Sequence, residues 1–306
     1  MKIESLAEQL FFTTCRIEAS GPNGSSVGTG FFYAVDTDAG TLHLLVTNKH
    51  VVAGATELTF LMSRSDGEQG LFTGHGVRWT VTDFTDHVWT GHPLPEVDVA
   101  VVPFSAVFNS MTEAGTHPVF RAVTSDISLD KTNADSLDAI EDVTFIGYPN
   151  GLYDTTNMTP IARVGTTATP IALDYQGAPA FLIDAAVFPG SSGSPVFILN
   201  RGTFADRSGN VTIGSRAIFL GIVASIHVRS AIGELRPAAQ RLVADYQEPI
   251  GLGIVYKASA IEETINALLA GRGLERRTVE AETPVTAVVP IVASAADEAA
   301  AEAATV

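Results

Sequence analysis

Short runs of β-branched and aromatic residues, set apart by clusters of Gly, Pro, Asn and Asp, occupy most of this chain. Such spacing is the mark of an all-β fold. It predicts strands near residues 13–19, 28–36, 41–48, 56–63, 76–83 and 98–103. A second set is predicted near 143–148, 160–168, 180–185, 195–200, 216–227 and 251–257. Between the sets, the stretch from Thr124 to Glu141 is rich in Asp and Ser and poor in aromatics, so it reads as a linker. Six strands on each side, each set closing on itself to remove its edges, give two six-stranded antiparallel β-barrels.

Helical patterning is sparse. Glu4 to Leu10 reads as one short helix, and Glu234 to Tyr246 has helical composition, with Pro237 limiting where it starts. Ser259 to Leu269 places Ile261, Ile265, Leu268 and Leu269 on one face, with Ser259 and Glu262 at capping-box spacing. A C-terminal amphipathic helix is therefore expected over 259–272. From 273 to 306 the composition shifts to Ala, Glu, Val and Thr without aromatics, which reads as a flexible acidic tail. The expected organisation is an N-terminal segment (1–12), a first barrel (13–123), a linker (124–141), a second barrel (142–258), the helix and the tail.

The 306 residues suffice for a sizeable core, and 46% of them are apolar. The formal charge is −16, with 34 acids against 18 bases, and that field opposes a nucleic-acid partner recognised through phosphates. Nothing polybasic is present to hold an anionic membrane. Cys15 is the single cysteine, so an intrachain disulfide is excluded. The first twelve residues carry two glutamates where a signal peptide needs an apolar core, and no apolar run is long enough to cross a bilayer. The chain is expected to be cytoplasmic.

Three segments carry chemistry. Val46-Thr47-Asn48-Lys49-His50-Val51-Val52 ends a strand with a histidine, and Val97-Asp98-Val99-Ala100-Val101 sets one aspartate in a β-branched run. Phe188-Pro189-Gly190-Ser191-Ser192-Gly193-Ser194-Pro195 is a tight polar turn entering an apolar strand. Taken singly, these read as a structural histidine, a strand-end cap and an ordinary loop. Taken together, Ser, His and Asp are the side chains of nucleophilic acyl transfer. Only Ser192, not Ser191 or Ser194, stands in a Gly-x-Ser-Gly frame.

These segments, with Gly28-Thr29-Gly30-Phe31-Phe32, Phe145-Ile146-Gly147-Tyr148-Pro149 and Gly221-Ile222-Val223, resemble the trypsin-like, chymotrypsin-fold serine peptidases, in particular their bacterial, disulfide-free branch. The resemblance spans roughly residues 13–270 and keeps the order His, Asp, Ser. It implies a triad of His50, Asp98 and Ser192, an oxyanion hole from the Gly190 and Ser192 amides, and hydrolysis of peptide bonds without metal or organic cofactor. It also implies a polypeptide substrate lying along Val223, Ala224, Ser225 and His227, with Ala186 in the specificity pocket. Asp83, Asp86, His87 and His92 cluster before the Asp98 strand but lack metal-ligand spacing. Departures from the family matter as well. Ser191 replaces the aspartate that digestive members use in zymogen activation, and Ala186 replaces the acid that selects Lys or Arg in trypsin. The stretch Ser230 to Pro249 is long for a connection and reads as a wall or gate for the pocket. Two alternatives stay open: a silent peptide-binding pseudoprotease, and an intracellular effector protease switched on by a regulatory partner.

Overall fold

A computed structural model describes residues 3–65, 72–130, 134, 136–235 and 242–277, with side chains described over the same ranges except 72–73 and 225–249. After a short helix α1 (Leu6–Leu10) come β1 (Thr14–Gly21), β2 (Gly24–Thr37), β3 (Gly40–Thr47), helix α2 (Lys49–Val52), β4 (Glu57–Ser65), β5 (Phe72–Thr82), β6 (Thr90–Gly91) and β7 (Ala100–Pro103). Helix α3 (Ser105–Glu113) leads to the second unit, β8 (Asp142–Gly147), β9 (Ile161–Thr167), β10 (Ala180–Asp184), β11 (Pro195–Ala205), β12 (Val211–Leu235) and β13 (Leu242–Lys257), closed by helix α4 (Ala258–Arg272). The first sheet is ordered β5-β4-β1-β2-β3-β7-β6, and the second closes as the barrel β10-β13-β12-β11-β8-β9. The first carries seven strands because the two-residue β6 adds to the expected six. It curls around one core, so Val77 near one end and Val102 near the other share a cluster.

The strands look like unbroken apolar runs because both of their faces are buried. Side chains alternate along a strand, and here each face meets a different core. In β2, Phe31 and Tyr33 point to the core between the two sheets, while Phe32 and Ala34 point into the first sheet's own core. In β11, Phe197 joins the shared core while Val196 and Ile198 fill the second barrel. Phe219 of β12 does the same, packing on Phe31 at 5.3 Å and Phe197 at 5.4 Å. Burying each such ring is worth about 1.5–3 kcal/mol, so these contacts dominate the docking of the two units. Helix α4 seals the junction with Ile261, Ile265, Leu268 and Leu269, all buried, on the expected face.

Several expectations are corrected. Helix α4 begins at Ala258 with Lys257 at its N-cap, and no Ser259–Glu262 capping box forms. Glu262 is occupied elsewhere, by the Tyr33 hydroxyl and the Arg276 guanidinium. A capping box exists instead at α1, between Ser5 and Glu8. The helix expected over 234–246 is absent from its described residues. β12 and β13 pair as one long hairpin out to Leu235 and Leu242, so pairing across the strands overrides local composition, and 236–241 lie outside the described residues. The start of the expected tail is docked, since Arg276 bridges Thr37 and the Arg277 amide donates to the Asp36 carbonyl at 2.9 Å. Residues 278–306 lie outside the described residues. No described helix is long and apolar enough to cross a membrane.

Candidate active site

The sequence-predicted residues come from both units, His50 and Asp98 from the first and Ser192 from the second. Strand β3 ends at Thr47 and the chain turns at once into α2, placing His50 in its first turn with half of its side chain exposed. Asp98 lies two residues before the start of β7. Its Oδ2 lies 2.5 Å from His50 Nδ1, and its Oδ1 accepts the His50 backbone N–H at 3.1 Å. Partial burial pushes the Asp98 carboxyl up. The His50 ring, its charge and the backbone N–H groups of His50 and Lys49 outweigh that and hold it below its ordinary value. Asp98 is therefore kept ionised, and its pairing takes Nδ1 and leaves Nε2 of His50 for other work.

The loop that presents Asp98 is held from three sides. Asn48 Nδ2 donates to the Asp98 carbonyl at 2.5 Å. Lys49 Nζ donates to the carbonyls of His92 (2.9 Å), Leu94 (2.9 Å) and Pro95 (3.4 Å), using its ammonium as a clamp. Burial pulls the Lys49 pKa below the usual ammonium value, with the Asp98 and Glu96 charges acting against the shift. Tyr256 Oη of β13 donates to the Glu96 carbonyl at 2.7 Å, and His92 Nε2 meets Glu263 of α4 at 3.2 Å. Asp86 Oδ1 accepts from the Gly54 amide and from Trp89 Nε1, both at 3.2 Å.

Ser192 sits partly exposed between two glycines in the left-handed region, Gly190 at φ 84° and Gly193 at φ 93°. Its hydroxyl donates to the Ala224 carbonyl at 3.0 Å and makes no hydrogen bond to His50. The two units still meet beside it: the Thr29 N–H of β2 donates to the Ser192 carbonyl at 2.9 Å, and Thr47 Oγ1 donates to the Thr29 carbonyl at 2.8 Å. Among the described residues, neither the Gly190 nor the Ser192 N–H is given to a protein acceptor. Both are free to serve a ligand.

The structure moves Val223 from the substrate groove to the scaffold. Its side chain is buried in the second barrel, its N–H donates to the Ser194 carbonyl, and its own carbonyl accepts from Gly193. Ala224 is likewise buried and offers only its carbonyl. Ala186 is exposed, whereas the side chains of Ser225 and His227 lie outside the described residues. Three contributors escaped the sequence reading: the Lys49 clamp, the Asn48 amide and Thr29. Each lies inside a motif already visible, but Asn48 and Thr29 are buried, Lys49 is partly so, and no shared local pattern singles the three out.

Solved structures similar to this chain are distant. An HtrA-type protease, AlgW, with a bound tripeptide, is 16% identical with a TM-score of 0.47, and the alignment covers 87% of this chain and 63% of that one. The chain thus spans less than two thirds of that relative's length. A serine endoprotease from Yersinia pestis is 14% identical over 88% of this chain and 68% of its own, with a TM-score of 0.45. An inactivated protease paralogue of the scabies mite is 11% identical over 89% and 97%, with a TM-score of 0.45. No curated protein sequence matches the chain. The family model for the trypsin-like peptidase domain matches residues 28–204, a stretch that contains His50, Asp98 and Ser192, and the chain belongs to that family.

Proposed function

We propose that this chain is a serine endopeptidase acting through Ser192, His50 and Asp98. The observation that carries the proposal is the His50 Nδ1–Asp98 contact of 2.5 Å, which fixes the imidazole with Nε2 as its free base. On substrate binding Ser192 exchanges its Ala224 bond for His50 Nε2. Oγ then attacks the scissile carbonyl carbon as its proton passes to Nε2, and the new oxyanion is received by the Gly190 and Ser192 N–H groups. Collapse breaks the C–N bond, and the leaving amine takes the proton from Nε2. Water then gives its proton to Nε2, attacks the acyl carbon, and the carboxylic product leaves with Oγ reprotonated.

The substrate is an extended polypeptide. Among the described residues, β12 pairs with β11 only as far as Ile222, so from Ser225 onward it keeps one edge on which a substrate backbone adds as a strand. With Ala186 in place of an acid, selection of Lys or Arg has no charge to rest on.

One observation favours a second reading. The Ser192 hydroxyl is engaged with Ala224 and not with His50, as in an enzyme that waits for a partner. A fluorophosphonate probe separates the readings. Covalent labelling of the wild type, absent in Ser192→Ala, is the expected result. Labelling only after a partner protein is added supports the partner-activated form, and a folded protein that is never labelled removes catalysis altogether.

A further inference from the structure

The Pro189–Ser192 backbone must keep a fixed shape for its two N–H groups to converge, yet the residue before the nucleophile has no carboxylate with which to anchor it. Ser191 is 1% exposed, and its hydroxyl accepts from the Phe188 N–H at 3.4 Å. Something else holds the loop. We infer that the Thr29 hydroxyl does so, as the positioning residue that locks the oxyanion loop of the second barrel onto the first sheet. This rests on the catalytic reading proposed above.

Each of the four consecutive carbonyls of the loop has its own partner. Pro189 O accepts from Asn150 N at 2.6 Å, and Ser191 O accepts from Ser194 N at 3.0 Å. The other two both belong to Thr29: Gly190 O accepts from Thr29 Oγ1 at 2.9 Å, and Ser192 O accepts from Thr29 N at 2.9 Å. In a trans peptide the N–H points opposite to the preceding C=O. Fixing Pro189 O therefore aims the Gly190 N–H, and fixing Ser191 O aims the Ser192 N–H. The two Thr29 bonds hold the alternate carbonyls, Gly190 O between those two and Ser192 O just after them, so the peptides on either side of the Ser192 donor are fixed as well.

The hydroxyl also braces the second side of the clamp. Thr29 Oγ1 accepts from Tyr148 N at 3.1 Å, two residues before Asn150, whose own φ of 51° is tolerated by an Asn. One hydroxyl thus joins the Gly190 carbonyl to the segment that grips Pro189. Thr29 is 0% exposed, so water cannot substitute for it. Gly147 completes the fit: a methyl there would fall on Ser194 Oγ and lie 2.7 Å from Thr29 Oγ1. An exposed hydroxyl would be dispensable; this one is buried with donor and acceptor both in use.

The test is Thr29→Val, which keeps the shape and removes the hydroxyl, beside Thr29→Ser, which keeps the hydroxyl. The full chain is assayed with a fluorophosphonate and a peptide ester, and amide hydrogen exchange is followed in peptides covering 188–194. Misaiming one oxyanion donor should lower kcat about 100-fold in Thr29→Val with KM changed less than about threefold, while Thr29→Ser recovers most of the rate. Exchange in 188–194 should quicken in Thr29→Val and not in Thr29→Ser. A Thr29→Val protein as fast as the wild type, or a Thr29→Ser protein as slow as Thr29→Val, overturns the inference. Should Thr29→Val fail to fold, Thr29→Ala against Thr29→Ser gives the same comparison with less crowding. A wild type without any activity defeats the catalytic reading alone. The exchange measurement then still decides, since unchanged exchange in 188–194 overturns the clamp and faster exchange upholds it.

Discussion

Replacing Asp98 by Asn is expected to lower kcat about 10⁴-fold, the loss this change causes in chymotrypsin-fold peptidases, while leaving the fold in place. The geometry gives the reason. Asp98 Oδ1 accepts a backbone N–H from His50, and an amide oxygen can take over that bond. The amide nitrogen must then face His50 Nδ1, where Oδ2 now stands at 2.5 Å. Two donors cannot share that contact, so the imidazole adopts the tautomer with its proton on Nε2. The nitrogen that should receive the Ser192 proton is blocked, and no carboxylate remains to stabilise the imidazolium. Steady-state kinetics on a peptide ester would check this, and a loss below about tenfold would remove Asp98 from the proposed triad.

The same variant carries a pH signature. The Asp98 carboxyl is held below its ordinary value, so its contribution to stability is complete above the unfolded carboxylate pKa of about 3.9. That contribution is lost as pH falls through the folded-state value. The wild type should therefore melt above Asp98→Asn near neutrality, and the gap should close on acidification below about pH 4. A gap that widens there would contradict the assignment of the shift.

The parts of the fold legible in the sequence are those where strand period and core agree. Phe31-Phe32-Tyr33 and Val196-Phe197-Ile198 announced themselves as strands because the two faces of each are filled by different cores. Helix α3 has no signature in the sequence, because Phe104 occupies its N-cap with no side-chain cap and Phe108 and Met111 are two unremarkable apolar residues. The β12–β13 hairpin carries helical composition from Glu234 to Tyr246, and only the partner strand decides otherwise. At the site, motif order brought His50, Asp98 and Ser192 together, although 48 and 94 residues separate them in sequence (98 − 50 and 192 − 98). The Thr29 contacts had no such signal. A hydroxyl that bonds a carbonyl 161 residues away is invisible until both units are docked.

That docking sets the second large effect. Gly193→Ala is expected to destabilise the protein by about 3 kcal/mol and to abolish labelling at Ser192. Two penalties coincide at this position. Gly193 lies at φ 93°, where an L side chain is strained, and its missing side chain is where the first sheet approaches. A methyl there would fall on the Thr29 carbonyl oxygen and come within 3.0 Å of Thr47 Oγ1. The backbone cannot yield outward, because the Gly193 N–H is tied to the Val223 carbonyl at 2.8 Å. Relief must come from parting β2 from the loop, which breaks the Thr29–Ser192 bond and displaces the nucleophile. Gly209→Ala provides the control. Its φ of 83° imposes similar strain, but no atom lies within 4 Å of the added carbon. There the cost should be about 1 kcal/mol, with labelling unchanged. In thermal unfolding, Gly193→Ala should fall about 5–10 °C below the wild type and Gly209→Ala only a few degrees. Equal losses in the two variants would mean that backbone strain alone governs Gly193, and that contact between the units does not shape the nucleophile loop.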